Sequence, residues 1–367
     1  MSKSIILGII LCAFLISCSQ KENLDSVKLT ISELNFKTDK SLYTNQISAP
    51  FYTDKNKVIF FNKFESSIDT LDFTSKNYLK GDQLEIEGPN SLPEFVIFYP
   101  VEQYLVFQGA NTLFKSNNKL TEKESIIQKF PGKIQRYFFQ PPASEFGNCI
   151  KCSENNFYIL FSDSDTKKNY QLAKFHTPDS LSFLPFPDES ILEKNKLGFK
   201  YGSSTLEKGT IPYATETSQG LIISFYHTSE VWILEKSKPF NYKIISGSPY
   251  FKSKKDEFPK EPISDFSKFI EVSKIWNNDI SFGPIYSIPN SDNFFRLVKG
   301  PSSKNKLYDG GIFLEVLNSK LKTAYIEELT KMIPDITCEY FVLPSGIYIK
   351  KNSNDEDDLS FYRIILN

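Results

Sequence analysis

The chain has 367 residues, with 43 basic and 44 acidic side chains and a formal net charge of −1. A nearly neutral chain lacks the basic excess of nucleic-acid-binding proteins, so we expect no nucleic-acid partner. Aromatic residues make up 15% of the chain, with 33 Phe and 19 Tyr, and this composition predicts an all-β protein.

The first 17 residues have the pattern of a secretory signal peptide. Lys3 supplies the positive charge, and the apolar run 5–16 is shorter than the about 20 residues that span a bilayer. The run ends with Leu15, a tolerant position, Ser17 and Cys18, which resembles the lipobox of bacterial lipoproteins. We therefore predict removal of residues 1–17 and lipidation of Cys18 by acyl chains such as palmitate. The alternative is a plain secretory signal with an incidental cysteine.

Residues 18–26 are polar and are predicted to form a lipidated tether ahead of one folded domain, 27–367. Ser19 is not the aspartate that would indicate retention at the inner membrane, so the prediction is a lipid anchor in the outer membrane. The folded domain would then lie on the periplasmic face or on the cell surface. Each buried methylene of an acyl chain contributes about 0.8 kcal/mol, so several chains anchor strongly.

Six similar units follow, each a pair of strand-like segments joined by a short turn. The pairs are 57–62 with 67–73, 103–107 with 111–115, 156–161 with 170–175, 220–225 with 230–234, 293–298 with 311–316, and 346–350 with 359–365. Further strand-like segments flank them, for example 211–215, 242–245 and 285–288. Four short strands per unit, repeated radially, predict a six-bladed β-propeller.

The two ends of the chain predict how the ring closes. Residues 27–36 alternate between apolar and polar side chains but belong to no unit, and the last unit ends after its third strand. Pairing the N-terminal strand with the C-terminal blade would complete that blade and leave fewer exposed strand edges. The alternatives are a pair of β-sandwiches or a seven-bladed ring, because the intervals 185–210 and 246–281 are long enough to hold further strands.

Three cysteines remain after the signal peptide and the lipidation site are set aside. Cys149 and Cys152 have the spacing of a redox motif, but that motif works at a helix N-terminus and these residues lie in an extended-looking stretch. We interpret the pair as buried or incidental rather than as a redox or metal site, with a structural disulfide as the other alternative. Cys338 leaves the count odd.

The polar residues that suggest chemistry are few. His176 and His227 are the two histidines, and both are interpreted as polar residues at strand ends. The acidic runs 162–165 and 355–358 do not match a calcium loop and are interpreted as solvated hairpin tips. The sequence contains no catalytic signature motif. We therefore predict no cofactor and no metal site, and the sequence leaves the identity of any catalytic residue unknown.

Two tryptophans could stack on sugars, but two are few for a carbohydrate enzyme. Trp232 alternates within an apolar strand and is predicted to lie in the core. Trp276 ends the segment 265–276, whose apolar residues have near-helical spacing. That segment is either a short helix capping one face of the ring or a loop between blades.

The lipobox, the six units and the turn Glu87-Gly88-Pro89-Asn90 together resemble an uncharacterised bacterial lipoprotein family of the DUF4221 type, grouped with TolB-like six-bladed β-propellers. The resemblance covers essentially the whole mature chain. It implies the fold and the cellular location, and it implies no activity.

Two functions remain open. The first is a non-catalytic binding or assembly module, presenting one face of the propeller to an envelope protein or a glycan. The second is a glycan-directed envelope hydrolase or lyase with carboxylates gathered in the central channel. Two channel carboxylates about 5–10 Å apart would favour the enzyme, whereas a channel filled by aromatic side chains would favour the binding module.

Overall fold

The computed structural model describes twenty parts of the chain. They are residues 27–36, 51–62, 65–85, 97–101, 104–108, 113–117, 123–125, 136–137, 146, 149–151, 158–162, 170–177, 180–186, 188–202, 204–208, 212–236, 241–255, 258–302, 309–352 and 359–367. Within these parts, no helix has both the length and the apolar character needed to cross a membrane.

Strands make up most of the described secondary structure. In chain order they are β1 (Leu29–Phe36), β2 (Phe51–Asp54), β3 (Lys57–Asn62), β4 (Ser67–Asp72), β5 (Asn77–Leu79), β6 (Ile97–Val101), β7 (Tyr104–Gln108), β8 (Leu113–Asn117), β9 (Lys123–Ser125), β10 (Arg136–Tyr137), β11 (Cys149–Lys151), β12 (Tyr158–Ser162), β13 (Gln171–Thr177), β14 (Ser180–Pro185), β15 (Leu197–Tyr201), β16 (Ser204–Lys208), β17 (Tyr213–Glu216), β18 (Gly220–Phe225), β19 (Thr228–Glu235), β20 (Tyr242–Ile245), β21 (Ser281–Phe282), β22 (Tyr286–Ser287), β23 (Phe294–Lys299), β24 (Ile312–Leu317), β25 (Thr323–Glu328), β26 (Ile336–Leu343), β27 (Gly346–Lys351) and β28 (Leu359–Leu366). The helices are α1 (Ser190–Glu193) and α2 (Phe266–Asn278), with a 3-10 turn at Leu329–Lys331.

The described strands form an all-β fold with a propeller arrangement. Six sheets hold four or five strands each, and β15 and β16 form a separate two-stranded sheet. The first sheet has the order β11-β2-β3-β4-β5, the second β6-β7-β8-β9, the third β10-β12-β13-β14 and the fourth β17-β18-β19-β20. The fifth has β21 and β22 beside β23-β24-β25, and the sixth has the order β26-β27-β28-β1.

All six predicted strand pairs are confirmed as antiparallel hairpins. They are β3 with β4, β7 with β8, β12 with β13, β18 with β19, β23 with β24, and β27 with β28. In β4 buried and half-buried residues alternate strictly, as expected for a strand whose two faces differ. The β-rich runs and the short turns between them therefore located the hairpins without information from the rest of the fold.

The predicted pairing of the two ends of the chain is also confirmed. β1 lies antiparallel to β28 over eight residue pairs, from Leu29 opposite Leu366 to Phe36 opposite Leu359. Leu34 and Phe36 are buried on this strand. They pack with Phe73 of the first sheet and with Phe361 of the sixth sheet in one apolar cluster. The N-terminal strand therefore holds the first and last sheets of the chain together.

Each sheet packs against the next through its own buried apolar residues. Phe341 of the sixth sheet lies 5.4 Å from Phe51 of the first sheet, measured between ring centroids. Ile222 of the fourth sheet belongs to the same cluster as Phe294 of the fifth. Where neighbouring sheets cover both faces of a strand, the whole strand is buried, as β18 and β23 show.

In the described residues, neither long interval between units contains the further four-stranded sheet that a seven-bladed ring would require. The interval 185–210 contains α1 and the β15–β16 hairpin rather than a further four-stranded sheet. The interval 246–281 contains α2, so the helical interpretation of residues 265–276 is confirmed.

One pairing was not predicted, since β11 lies parallel to β2 and joins two segments almost a hundred residues apart. Local sequence patterns carry no signal for a pairing over that distance.

Candidate functional site

Aromatic side chains from edge strands of three sheets meet in one apolar cluster, which we call the centre. Tyr213 lies on β17, Tyr286 on β22 and Tyr340 on β26, and all three are buried. The rings of Tyr286 and Tyr340 are 5.5 Å apart. Phe146, which has no exposed surface, lies 6.3 Å from Tyr340 and 6.0 Å from Tyr226. The described part of the centre is therefore filled by rings.

The backbone holds Phe146 in this position. The Tyr340 amide donates a hydrogen bond to the Phe146 carbonyl at 3.3 Å, and the Tyr340 hydroxyl donates to the Pro284 carbonyl. Gly283 leaves the space that both rings occupy, since a Cβ there would lie 2.8 Å from Phe146 Cδ1 and 2.8 Å from Tyr340 Cε1. The Gly283-Pro284 pair thus lets the aromatic side chains approach the backbone closely.

The central phenols are neutral at neutral pH. Burial raises the pKa of Tyr286 well above its usual value, and the nearby Tyr213 hydroxyl raises it further. Burial likewise raises the pKa of Tyr340. Protonated phenols donate hydrogen bonds but supply no general base. Among the described residues, no group of three His, Cys, Asp or Glu side chains is arranged to hold a metal ion.

The structure does not bring the two histidines together. His176 is exposed on β13 of the third sheet, where its Nε2 lies 2.9 Å from Ser182 Oγ. His227 is 1% exposed at the turn between β18 and β19 of the fourth sheet. Neither of its ring nitrogens has a hydrogen-bond partner among the described residues. His227 therefore lies at a strand end, as predicted, but its ring is enclosed beside Phe225, with the two ring centroids 5.9 Å apart.

The surroundings of His227 disfavour its protonated form. Burial lowers the pKa of His227 to about 3, and the cations of Lys194 and Lys254 lower it further. The backbone amide of Lys254 also donates a hydrogen bond to the His227 carbonyl at 2.8 Å. A histidine in this position is neutral at neutral pH, and its low pKa keeps it unprotonated in mild acid.

We expect the stability of the chain to fall as the pH drops from about 6.5, the usual value for histidine, towards about 3. Over that range the unfolded chain protonates His227 and the folded chain does not, so protons favour the unfolded state. His227→Phe keeps a ring, removes two unpartnered buried nitrogens and should flatten this dependence. The measurement is the melting temperature of both chains between pH 7 and pH 4.

The exposed histidine provides the matched control for this prediction. His176→Phe should leave the pH dependence of the melting temperature as it is in the parent chain, because the His176 side chain is exposed. An unchanged slope in His227→Phe would assign the acid sensitivity to other groups.

A small layer, which we call the cap, covers one side of the fourth and fifth sheets. It consists of α1, β15, β16, residues 258–265 and α2. Asp265 caps α2, accepting a hydrogen bond from the Lys268 amide at 2.8 Å. Trp276 stacks on Tyr226 with ring centroids 5.0 Å apart. The helix is therefore attached to the sheets through a buried aromatic pair.

Part of the cap surface is apolar and exposed. Tyr201 is 73% exposed and Phe266 is 62% exposed, and both rings lie next to the buried Phe199. Ile270 and Ile275 on α2 are exposed as well. Ile270 follows Phe266 by one turn of the helix, and we call Tyr201, Phe266 and Ile270 the cap patch. Neighbouring exposed apolar side chains of this kind are typical of interaction surfaces.

Neither tryptophan is exposed for stacking on a sugar in this structure. Trp232 is 1% exposed, and its predicted position in the core is confirmed. Trp276 is 3% exposed, and its Nε1 donates to the Asn195 carbonyl at 2.7 Å. Neither ring has a face open to a ligand.

Several sequence predictions concern residues outside the described ranges. These are the signal peptide and Cys18, Cys152, the acidic residues 163–165 and 355–358, and the turn 87–90. Cys149 lies on β11, and Cys338 is fully buried on β26. The structure therefore leaves the lipidation site as a prediction.

Two features of the site gave no signal in the sequence. Phe146 lies in a segment without strand or helix periodicity, so nothing local indicated that it enters the centre. Arg296 and Glu315 lie inside apolar strands, where a charged residue would ordinarily mark the solvent face. The structure buries both and pairs them, with Arg296 Nε 2.7 Å from Glu315 Oε2.

Comparison with known proteins gives one family and related folds. The family described as "Domain of unknown function (DUF4221)" matches residues 26–319. A crystal structure of a DUF4221 family member from Bacteroides vulgatus has a TM-score of 0.60 and 18% identity, covering 93% of this chain and 98% of that one. A protein from Bacteroides fragilis has a TM-score of 0.50 and 9% identity, covering 94% and 97%. No curated protein matches this chain.

Proposed function

We propose that this chain, which belongs to the DUF4221 family, is a lipid-anchored propeller of the bacterial cell envelope that binds a partner without catalysing a reaction. The single observation that carries the non-catalytic part is the centre filled by Phe146 and buried tyrosines. A channel enzyme needs an open centre with ionised groups facing a substrate.

The proposal includes a ring of six blades. It is supported by the six sheets of four or five strands and by apolar clusters between sheets that follow one another along the chain. The β1–β28 pairing supports closure by the N-terminal strand. Closure of this kind removes an exposed edge.

The alternative, a glycan-directed envelope hydrolase or lyase, requires carboxylates at the centre. Phe146, Tyr286 and Tyr340 pack against one another there, and the phenols stay protonated. No observation in the described part of the chain favours this alternative over binding.

The anchor is proposed to be the acylated Cys18 in the outer membrane. We predict that Cys18→Ala abolishes acylation and moves the protein out of the membrane fraction, because the thiol is the group that receives the lipid. Cell fractionation and mass spectrometry of the N-terminal peptide measure both effects. Cys338→Ala is the matched control, since it removes a thiol without touching the lipobox. Membrane retention and an intact acyl mass in Cys18→Ala would refute the anchor.

The cap patch lies on the side away from the first described residue. Val27 belongs to the same end of the fifth and sixth sheets as Asn293, just before β23. The other end of β23 meets the cap, where the Ser302 amide donates to the Asn278 carbonyl at 2.7 Å. The six residues of β23 separate these ends by about 20 Å. An anchor that precedes Val27 would leave the cap patch facing away from the membrane, where an envelope protein could bind.

The test is a crosslinking pull-down from intact cells with the acylated, tagged chain. We expect one envelope protein to be recovered repeatedly, and to be lost in the double variant Tyr201→Glu/Phe266→Glu. Ile244→Glu is the control, because Ile244 is 59% exposed on β20 and lies outside the cap. Recovery of a glycan or small molecule in place of a protein would contradict the assembly role. Equal recovery from both variants would exclude the cap patch.

A further inference from the structure

A groove of about 480 Å³ opens between the fifth and sixth sheets, at the end of the fold where Val27 lies. Its volume is within the range of small-molecule sites. None of Phe146, the buried tyrosines and the cap residues lines this groove, so the proposed function does not use it.

The walls of the groove are largely apolar. Val27, Pro344 and Leu366 contribute to the walls. Beneath them lie Ile288 and Ile364, both buried and both part of the apolar cluster that joins the two sheets. These side chains are held by strand pairing and core packing, so the cavity is formed before any ligand arrives.

One cation lies among the residues that line the groove. Arg363 is half-buried, and its Nε donates a hydrogen bond of 2.7 Å to the Ser345 carbonyl. This bond fixes the plane of the guanidinium and leaves both Nη nitrogens without a hydrogen bond to any described residue. A guanidinium held in this way presents parallel N–H donors, which match a carboxylate or a phosphate.

The other side chains that line the groove are uncharged. No acidic side chain is found among the described residues that line the groove, and the polar ones are amides and hydroxyls such as Asn293 and Ser345. A second groove differs in this respect. It lies between the fourth and fifth sheets, and its lining combines Lys236, Lys243 and Lys320 with Glu235. Because this groove also carries positive charge, a variant there tests whether an anion binds at Arg363 and not at any cationic groove.

We infer that the groove containing Arg363 binds a small amphipathic anion. Its carboxylate or phosphate head pairs with Arg363, and its apolar body lies along Val27, Pro344 and Leu366. Two sources of such a molecule share this chemistry: a free fatty carboxylate and the phosphate head of a membrane lipid. The groove is beside Val27, the residue that follows the proposed tether, so both sources are within reach of an anchored protein.

The test titrates the full chain carrying Cys18→Ala with decanoate, decyl phosphate and decanol below their micelle concentrations, using calorimetry. We expect saturable binding of one or both anions and at least about tenfold weaker binding of decanol. Tighter binding of decyl phosphate would indicate the lipid head as the source, and tighter binding of decanoate the free carboxylate. Because this chain carries no acyl group, the result does not depend on the proposed anchor.

Two variants locate the binding. Arg363→Gln should weaken binding of the anion about tenfold and leave decanol unaffected. Since loss of the bond to Ser345 could disturb the fold, Asn293→Asp provides a second route, placing a negative charge on the rim at a half-buried loop position. It should weaken anion binding without lowering the melting temperature.

Lys243→Gln, in the second groove, is the matched control and should change nothing. Equal affinity for decanol and the anions, or undiminished anion binding in both Arg363→Gln and Asn293→Asp, would overturn the inference. The absence of saturable binding to the parent chain would overturn it as well.

Discussion

Replacing Arg296 by methionine is expected to destabilise the folded chain by about 3–5 kcal/mol, because Glu315 is left buried without its cation. Both side chains are at most 1% exposed. Burial by itself would raise the pKa of Glu315, but the Arg296 guanidinium and hydrogen bonds from Thr323 and Ser248 bring it below its usual value. The carboxylate therefore stays charged, and the measurement is the free energy of unfolding in urea at pH 7.

The position of this ion pair explains the size of the effect. Arg296 and Glu315 are directly opposite each other on β23 and β24 of the fifth sheet. The Arg296 Nη2 donates to the Ser229 carbonyl of the fourth sheet at 3.2 Å. Arg296 also lies over the Phe282 ring, with its Cζ 4.8 Å from the centroid. One side chain thus holds two sheets in register.

The double variant Arg296→Met/Glu315→Leu distinguishes the stability lost to an unpaired buried charge from the stability lost to altered packing. It should recover much of the lost stability, since replacing both charges with apolar groups leaves nothing uncompensated. Lys331→Met removes an exposed ion pair with Glu328 and should leave the unfolding curve unchanged. A double variant as unstable as Arg296→Met would show that shape, and not the buried charge, determines the loss.

Deleting residues 27–36 is expected to abolish cooperative unfolding of the chain. The deletion removes eight residue pairs with β28 and leaves that strand as an open apolar edge. It also removes the Phe36 ring, which is 4.7 Å from Phe73 in the first sheet and 5.7 Å from Phe361 in the sixth. The first and last sheets would lose the strand that joins them, and thermal unfolding monitored by near-UV circular dichroism measures the result.

Point variants of β1 separate packing from the strand itself. Phe36→Ala should lower the free energy of unfolding by about 3–5 kcal/mol, as is usual for a buried phenylalanine. Ser32→Ala, at an exposed position of the same strand, should have little effect. A synthetic peptide of residues 27–36 should restore cooperative melting to the deleted chain. A deletion variant that melts like the parent chain would refute the role of β1 in holding the ring closed.

These two predictions concern residues that pack between neighbouring sheets. The same contacts between sheets form the buried and enclosed features of the structure. The buried pair at Arg296 and the enclosed His227 are at or beside the fourth sheet, and the groove containing Arg363 is formed where the fifth and sixth sheets meet. Side chains at these places face a neighbouring sheet that comes from a different part of the chain. Their surroundings are therefore set by the order of the sheets around the fold.

The sequence by itself determined the local elements. Runs of β-forming residues separated by short polar turns placed all six strand pairs, because such runs favour strands whether one or both faces are buried. Period-two alternation identified the strand at 27–36 and the pairing that the structure confirms at β28. Near-helical spacing indicated α2, and the apolar run around Trp232 indicated its burial. The prediction of a lipobox at Cys18, which stays a prediction, likewise depends on a few adjacent residues.

The tertiary structure alone decided what fills the centre and which charges are buried. Phe146 and Tyr340 are almost two hundred residues apart, yet their backbones share a hydrogen bond. Arg296 resembles a solvent-facing residue in its strand, and only the fourth sheet packed beside it makes it a buried cation. Local sequence patterns indicate which residues share a face of a strand, but not which residues pack against that face. The packing residues come from distant segments of the chain, and only the assembled sheets bring these segments together.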